Sequence, residues 1–345
     1  MPDDRLLRDL DHVVTRTRDV WEQLRDARVF LTGGTGFFGC WLLESFAHAV
    51  DQLALSAQIT VLTRDPGQFS KKAPHLSAHP AIHLLQGDVR SFTFPDGAFS
   101  HIIHGATDVA GTLNADDPEA MIETIEQGTA RVLKFREKSG ASRALLLSSG
   151  AVYGRQPTSV THMPEEEDAV ARPLETPSAY AEGKRSAETL WNTHGPIARG
   201  YAFVGPHLPL DAHLAIGNFI RDALRGGPIT VKGDGTPRRS YLYAADLTIW
   251  LWTMLTRGKP GRAYNVGSED DDSIAEVAQT VSACVGTHPA VIIGKTPVPG
   301  APPERYVPST ARARSELGLE QTVPLDEAIR RTAAWYSSKP IPPIL

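Results

Sequence analysis

Three side chains have the types and spacing needed to take a proton from an alcohol, and these are Ser149, Tyr180 and Lys184. Tyr180 and Lys184 are four positions apart, a spacing at which side chains share one face of a helix. A lysine ammonium beside a phenol favours the phenolate and lowers a pKa that is about 10 in water. Ser149 can bind the same substrate oxygen and relay its proton to the tyrosine. We therefore predict that Tyr180 is a general base.

Such a base needs a hydride acceptor, and a glycine-rich segment has the features of a dinucleotide site. The apolar run Arg28–Thr32 is followed by glycines spaced G-x-x-G-x-x-G and by an amphipathic run from Cys40 to Phe46. A strand, a tight turn and a helix in this order present free N–H groups and a partial positive charge to a pyrophosphate. The loop residues predicted to contact a tightly bound NAD or NADP are Gly33, Thr35, Gly36, Phe37, Phe38 and Gly39.

The sequence leaves the choice between NAD and NADP open. The run Gln58–Thr63 ends in Arg64 and Asp65, at the distance onward where the adenosine ribose is read. A guanidinium suits a 2′-phosphate, whereas a carboxylate accepts a hydrogen bond from a 2′-hydroxyl. Further predicted contacts follow later apolar runs, and these are Asp88 and Val89 near the adenine and His104, Gly105, Ala106 and Thr107 beneath the dinucleotide. For His104 we expect packing and hydrogen bonding rather than catalysis.

Apolar runs alternate with helical patterns from Arg28 to about Val204, which predicts an α/β fold with a Rossmann-type doubly wound parallel sheet. Proline and glycine are frequent after that, which indicates a smaller C-terminal substrate-binding lobe. The predicted divisions are 1–27 as an N-terminal amphipathic helical extension, 28–204 plus 241–267 as the dinucleotide-binding domain, and 205–240 plus 268–340 as the substrate-binding lobe. Ligands bind at the carboxyl ends of strands in such a sheet, which is where Ser148 and Ser149 follow an apolar run.

Together these motifs resemble the extended short-chain dehydrogenase/reductase superfamily, and specifically its NAD-dependent nucleotide-sugar epimerase/dehydratase branch. The resemblance extends from about Arg28 to Tyr336. It implies a nucleoside-diphosphate sugar as substrate, chemistry through a 4-keto intermediate, and a homodimer formed through helices near 118–138 and 178–191. The catalytic residues that it implies are Ser149, Tyr180 and Lys184.

The resemblance also implies residues that bind the nicotinamide and the substrate. Phe203 and Val204 lie in the segment that matches the strand and loop flanking the nicotinamide. The implied substrate-binding residues are Ser148, Ser149, Gly150, Asn218, Phe219, Arg239 and Arg305. Arg239 matches the arginine of the diphosphate-binding segment, and Arg305 is the candidate to replace a later arginine that this chain lacks.

The two positions directly after Ser149 also depart from the superfamily's pattern. Enzymes similar to dTDP-glucose 4,6-dehydratase carry Asp-Glu directly after the catalytic hydroxyl residue, and UDP-glucuronate decarboxylases usually carry glutamate at the second position. This chain has Gly150 and Ala151 there, and neither side chain can transfer a proton. Small residues at these positions resemble UDP-galactose 4-epimerase, whose reaction needs only oxidation, rotation and reduction of a ketone. A 4-epimerase is therefore the leading prediction.

Other functions remain open. The segment Tyr180–Arg185 looks most like that of decarboxylases, so an enzyme similar to UDP-glucuronate decarboxylase or to sugar 4,6-dehydratase is the nearest rival. Arg64 would suit an NADPH-dependent carbonyl reductase, which would consume reduced cofactor stoichiometrically. A nucleotide-sensing binding protein without turnover is a further class, and the complete catalytic set argues against it.

Composition narrows the classes of function. The 345 residues carry a net charge of −5, so the composition does not predict a surface that binds nucleic acid. Two cysteines, Cys40 and Cys284, are too few for a disulfide framework and indicate a reducing, cytoplasmic compartment. No apolar run is long enough to cross a membrane, and the histidines are too scattered to predict a metal site.

Overall fold

A seven-stranded sheet organises the chain in the computed structural model, which describes residues 4–107, 117–166, 178–211, 214–286 and 288–339. The strands are β1 (Arg28–Thr32), β2 (Gln58–Thr63), β3 (Ile82–Gln86), β4 (His101–His104), β5 (Arg143–Ser149), β6 (Ile197–Gly200), β7 (Phe203–Val204), β8 (Ile229–Val231), β9 (Arg238–Arg239), β10 (Leu242–Tyr243), β11 (Ala263–Val266), β12 (Asp272–Ser273), β13 (Val291–Ile293) and β14 (Arg305–Tyr306).

The order in the large sheet is β11-β6-β5-β4-β1-β2-β3, and the pairs from β3 to β6 are parallel. Strands β2 and β3 therefore follow β1 on one side, and β4 then pairs with β1 on the other side. The gap between β1 and β4 is the switch point at which doubly wound sheets bind ligands. This order confirms the predicted Rossmann-type fold class.

Helices alternate with the strands along most of the chain. They are α1 (Asp4–Arg16), α2 (Arg18–Gln23), α3 (Phe37–Leu53), α4 (Pro66–Lys72), α5 (Pro74–Ser77), α6 (Pro118–Ser139), α7 (Ala179–Trp191), α8 (Ala215–Leu224), α9 (Ala244–Arg257), α10 (Ile274–Cys284), α11 (Ala311–Leu317) and α12 (Leu325–Tyr336). Short 3₁₀ helices cover Gly150–Tyr153 and Asn192–His194. Among the described residues, no helix has the length and apolar character to cross a bilayer, and no cluster of His, Cys, Asp or Glu is arranged to hold a metal ion.

The N-terminal extension consists of α1 and α2, and its apolar face is buried. Leu6, Leu10 and Val13 are fully buried on α1. On α2, the ring of Trp21 lies 4.9 Å from that of Trp252 in α9. Burying large side chains of this kind contributes about 2 kcal/mol each relative to exposure. The extension therefore packs on the core of the chain itself.

Contacts within the chain divide the described residues into two compact units. The first unit comprises Met1–Gly154, Ala169–Gly200 and Thr248–Tyr264, and the second comprises Arg155–Asp168, Tyr201–Leu247 and Asn265–Leu345. The first unit contains the glycine loop and the three predicted catalytic residues. The second contains a small sheet of order β12-β9-β14 and the pair β13-β8.

Candidate active site

The glycine loop is packed too tightly to accept side chains at two of its glycines. Gly33 has a φ of 77°, and a Cβ there would lie 2.5 Å from the carbonyl of Gly105 at the end of β4. A Cβ on Gly39 would lie 2.3 Å from the backbone of Gly34. Since real Cβ atoms do not approach backbone so closely, glycine is required at both positions. The loop is thereby held against the end of β4, at the switch point of the sheet.

The N-terminus of α3 supplies the donors that a dinucleotide pyrophosphate needs. Gly36 is its N-cap residue and makes no side-chain capping bond, while Phe37 and Phe38 begin the helix. The first N–H groups of a helix have no intrahelical partners and attract anions. A Cβ on Gly36 would meet only the Gly33 carbonyl oxygen, at 3.6 Å, so the backbone there can be approached closely. The loop therefore fits the pyrophosphate of NAD or NADP.

The two carboxylates predicted near the adenosine are both engaged within the chain. Asp65 caps α4, and its Oδ1 accepts a hydrogen bond from the N–H of Gln68 at 2.9 Å. Asp88 binds the guanidinium of Arg90 through Nε at 2.8 Å and Nη2 at 3.0 Å. This hydrogen bonding lowers the pKa of Asp88, and the charge of Arg64 adds to the effect. Arg64 is exposed directly at the end of β2.

His104 is a neutral link in a chain of buried hydrogen bonds. Thr32 Oγ1 accepts from the N–H groups of Gly105 and Ala106, both at 3.1 Å, so its own proton goes to His104 Nδ1 at 2.8 Å. His104 Nε2 then carries the ring proton and donates to Thr129 Oγ1 at 3.1 Å. Burial lowers the pKa of His104 to about 3, which agrees with a neutral ring. His104 thus supports the loop after β4. Val89, which was predicted to lie near the adenine, packs against the hydrophobic core.

The two serines at the end of β5 have different partners. Ser149 Oγ accepts a hydrogen bond from the N–H of Ala151 at 3.1 Å and caps the 3₁₀ helix that begins at Gly150. Ser148 Oγ instead donates to Glu188 Oε1 at 2.6 Å, in a buried network. Successive side chains of a strand point to opposite faces, so only one of the two can face a ligand. The structure therefore brings Ser149 to Tyr180 and directs Ser148 away from a substrate role.

Tyr180 and Lys184 lie on α7, which begins after Ser178, its N-cap residue. Lys184 is buried, and its Nζ donates to Thr107 Oγ1 at 2.7 Å and to the carbonyl of Leu147 at 2.8 Å. The same Nζ lies 5.8 Å from the centroid of the Tyr180 ring. The three predicted catalytic residues and Thr107 are therefore brought together at the ends of β4 and β5.

The electrostatics of this cluster differ from the sequence prediction. Burial raises the pKa of Tyr180, and the influence that lowers it is a hydrogen bond with Ser149 rather than the charge of Lys184. Burial also lowers the pKa of Lys184 to about 8, against an opposing effect of Glu188. The expected lowering of the phenol pKa by the ammonium is not found, because the ammonium is directed toward Thr107 and Leu147.

Sequence reasoning missed a buried ion pair beside these residues. Glu188 and Arg199 are 5% and 7% exposed, and Arg199 donates to the carboxylate through Nη2 at 2.7 Å and Nε at 3.0 Å. Arg199 Nη1 also donates to the Tyr153 hydroxyl at 2.7 Å. One signal was present in the sequence: Glu188 is four positions after Lys184, on the same face of α7.

The predicted diphosphate arginines lie in the second unit on different faces of its small sheet. The parallel register pairs Arg305 with Arg238, and Asp271 accepts hydrogen bonds from the Nε of each, at 3.1 and 2.7 Å. Arg239 is the next residue of β9, so its side chain points to the other face, where it binds Glu304 at 2.6 Å. The structure does not bring Arg239 and Arg305 together, because the register gives Arg305 a different neighbour.

The remaining predicted binding residues also lie in the second unit. Phe219 is buried in α8, and Asn218 accepts a hydrogen bond through Oδ1 from Arg221 Nη1 at 2.9 Å. Phe203 and Val204 are buried in β7, which pairs in parallel with β10. The side chain of Phe219 is therefore part of the apolar interior of the second unit.

The sequence is similar to a known protein family and to characterised enzymes. A family profile described as the NAD dependent epimerase/dehydratase family matches residues 29–267. A UDP-glucuronic acid decarboxylase of Arabidopsis thaliana is 31% identical over 314 residues, which cover 88% of this chain and 86% of that protein. The residues matched by the family profile include the glycine loop and the three predicted catalytic residues.

Solved structures have the same fold. An epimerase from Methanothermobacter thermautotrophicus superposes with a TM-score of 0.75 at 22% identity, covering 94% of this chain and 96% of that one. A dTDP-glucose 4,6-dehydratase from Streptomyces venezuelae, solved with NAD bound, gives a TM-score of 0.72 at 23% identity, covering 90% and 96%. At such identities the likeness establishes the fold.

Proposed function

The chain belongs to the NAD-dependent epimerase/dehydratase family, and on that premise we propose that it converts a nucleoside-diphosphate sugar through a 4-keto intermediate, as a 4-epimerase. Tyr180 takes the proton of the C4 hydroxyl, and Ser149 hydrogen-bonds the same oxygen. A bound NAD or NADP supplies the acceptor and later the donor of the hydride. Lys184 and Thr107, joined at 2.7 Å, bind and orient the dinucleotide beside Tyr180.

Tyr180 must lose its proton before it can act as a base, and burial opposes this loss. The hydrogen bond from Ser149 stabilises the phenolate, which lowers the pKa of Tyr180. The ammonium of Lys184 is directed to Thr107 and Leu147, so the hydrogen bond from Ser149 is the contact that favours the phenolate. The Ser149–Tyr180–Lys184 cluster is the observation that carries the assignment to C4 oxidation.

The residues after Ser149 support epimerisation over dehydration. Gly150 and Ala151 begin the 3₁₀ helix and carry no titratable group. Elimination of water from the sugar needs an acid and a base beside the carbons involved, whereas turning a 4-keto sugar and reducing its other face does not. Of these reactions, 4-epimerisation needs the fewest acid–base groups, so it is the reaction that the residues of this chain suit best.

A decarboxylase is the second candidate, and the relative at 31% identity favours it. Once C4 of a uronic acid is a ketone, the C6 carboxylate is β to that carbonyl. The C5–C6 bond can then break to release carbon dioxide, while the electron pair of that bond moves into the ketone. The resulting enolate needs one proton at C5. That proton comes from water, because the proton that Tyr180 takes in the oxidation step returns to the C4 oxygen when the ketone is reduced. Ala151 does not prevent this reaction, because the ketone itself accepts the electrons.

Mass spectrometry of the products separates these functions. The protein would be incubated with UDP-glucose, UDP-galactose and UDP-glucuronate in turn, with NAD or NADP. A product of unchanged mass and new retention supports the 4-epimerase, while loss of carbon dioxide supports the decarboxylase and loss of water a dehydratase. In a separate incubation with NADPH and a carbonyl compound, stoichiometric oxidation of NADPH would indicate a carbonyl reductase. No product from a broad panel of sugar nucleotides would contradict the proposal and favour a binding protein.

We also propose that NADP is preferred over NAD. Asp65 is committed to capping α4, and this supports Arg64 rather than Asp65 as the residue that meets the adenosine ribose. A guanidinium pairs well with a 2′-phosphate and gains little from a 2′-hydroxyl. Denaturing the purified protein and identifying the released dinucleotide tests this directly.

For assembly, we propose a homodimer formed through α6 and α7. Leu190 on α7 is 41% exposed, and a contact between subunits through this helix would bury it. Light scattering of the native protein and of Leu190→Glu tests it. We expect a dimer for the first and a shift to monomer for the second.

A further inference from the structure

We propose that Glu188 is a positioning residue that holds Lys184 and the end of β5 in the arrangement needed for proton transfer at Tyr180. The inference rests on the proposed function and concerns a residue that does not itself touch the substrate. It follows from the buried network around the Glu188 carboxylate.

The carboxylate joins a helix to two strands of the sheet. Glu188 Oε1 accepts from Ser148 Oγ of β5 at 2.6 Å, and Oε2 accepts from Arg199 Nη2 of β6 at 2.7 Å. Through Arg199 the network extends to the hydroxyl of Tyr153 in the 3₁₀ helix. All four side chains are at most 7% exposed. Hydrogen bonds to charged groups are stronger than neutral ones, so the carboxylate fixes these elements relative to α7.

The elements joined in this way are the ones that carry the catalytic set. Ser148 lies between Leu147, whose carbonyl accepts from Lys184, and Ser149, which bonds Tyr180. A shift of β5 against α7 would therefore change both contacts at once. Misplacing a catalytic group by about 1 Å can cost on the order of a hundredfold in rate.

Glu188 also places a negative charge close enough to act on the buried ammonium of Lys184. Lys184 shares its helix face with Glu188 and Tyr180, and His104 of β4 faces it as a neutral ring. The charge of Glu188 raises the pKa of Lys184 against the effect of burial. Replacing Glu188 by glutamine removes this charge and leaves the Arg199 cation uncompensated, and both changes lower the pKa of Lys184.

The decisive experiment compares Glu188→Gln with Tyr153→Phe. Tyr153→Phe breaks the outer bond of the same network but leaves the carboxylate and its charge in place, so it is the matched control. For each variant, kcat and dinucleotide affinity would be measured from neutral to alkaline pH and divided by the folded fraction. We expect Glu188→Gln to lower kcat at least tenfold and to move the alkaline loss of dinucleotide affinity to lower pH by about one unit, which corresponds to about 1.4 kcal/mol.

We expect Tyr153→Phe to keep the native pH dependence. We expect Glu188→Asp to restore the native loss of dinucleotide affinity at alkaline pH but to keep a reduced kcat, because its shorter side chain keeps the charge but not the geometry. An unshifted pH profile in Glu188→Gln, or an equal shift in Tyr153→Phe, would overturn the proposal. If Glu188→Gln does not fold, the result for Glu188→Asp decides. Dinucleotide affinity is measured without any sugar, so this measurement tests the role of Glu188 even if the proposed substrate is wrong.

Discussion

Lys72 donates a hydrogen bond from its Nζ to the carbonyl oxygen of Thr35, at 2.7 Å, and so brings a cation to the glycine loop. The parallel register pairs Thr32 at the end of β1 with Leu62 of β2, so the start of the glycine loop lies level with the residues that lead to Arg64. Two cations, Lys72 and Arg64, therefore flank the part of the loop where a dinucleotide's adenosine end is expected.

The first prediction concerns this pair of cations. Arg64→Gln and Lys72→Gln should each weaken binding of 2′,5′-ADP about tenfold or more and leave 5′-AMP binding nearly unchanged, because a 2′-phosphate gains most from the lost charges. Calorimetry measures both ligands. Lys71→Gln is the matched control, since it removes the same charge one position away on another side of α4. Equal losses for 2′,5′-ADP and 5′-AMP would show that the cations do not read the 2′ position.

The second prediction uses two glycines of the loop that differ in their surroundings. Gly39→Ala places a methyl group 2.3 Å from the Gly34 backbone and should lower thermal stability by several degrees. Gly36→Ala meets only an oxygen at 3.6 Å, so its stability should stay close to native while its dinucleotide affinity falls at least tenfold. Thermal unfolding and dinucleotide titration check the pair. Native affinity in Gly36→Ala would mean that the pyrophosphate does not approach this loop.

Much of the fold follows from the sequence because the relevant signals are local. The apolar runs predicted at Arg28–Thr32 and Gln58–Thr63 coincide with β1 and β2. The glycine spacing predicted the loop, since a strand, turn and helix are consecutive in the chain. Asp65 followed by Pro66 is also a local signal, an N-cap with proline at the first helical position, and it explains why this carboxylate is engaged.

The parts that could not be predicted depend on tertiary contacts. The pairing of Glu188 with Arg199 joins a helix to a strand. Helical spacing places Glu188 on the same face as Lys184, but it does not identify Arg199 as the partner. Alternation predicts that Ser148 and Ser149 point to opposite faces, but only the sheet's surroundings decide which faces the site. The partner of Arg305 depends on strand register, which a two-residue strand does not encode.

The third prediction tests the proposed base. Tyr180→Phe should reduce turnover by about a hundredfold to ten-thousandfold, the usual contribution of a general base, while dinucleotide still binds. Ser149→Ala should cause a smaller loss, because Tyr180 keeps its position and loses only the hydrogen bond that lowers its pKa. Steady-state kinetics and dinucleotide titration give the two readouts. A near-native rate for Tyr180→Phe would assign the base to another residue.

The fourth prediction concerns the effect of Lys184 on stability as pH changes. The pKa of Lys184 is lowered to about 8 in the folded chain, whereas in the unfolded chain it takes its ordinary value of about 10.4. Between these values the unfolded state binds more protons than the folded state, so this residue's contribution to stability rises with pH. Below about pH 8 both states hold the proton, and burial of the charge costs about 3 kcal/mol.

Lys184→Met removes the titrating group and keeps an apolar side chain of similar length. Urea unfolding of the native protein and the variant would be measured at several pH values between about 7 and 10. The free energy of unfolding of the native protein should increase relative to that of the variant as pH rises. The buried thiol of Cys40, whose pKa burial raises to about 11, destabilises both proteins over part of this range and so cancels in the difference. A difference in unfolding free energy that stays constant across the range would mean that Lys184 keeps an ordinary pKa in the folded chain.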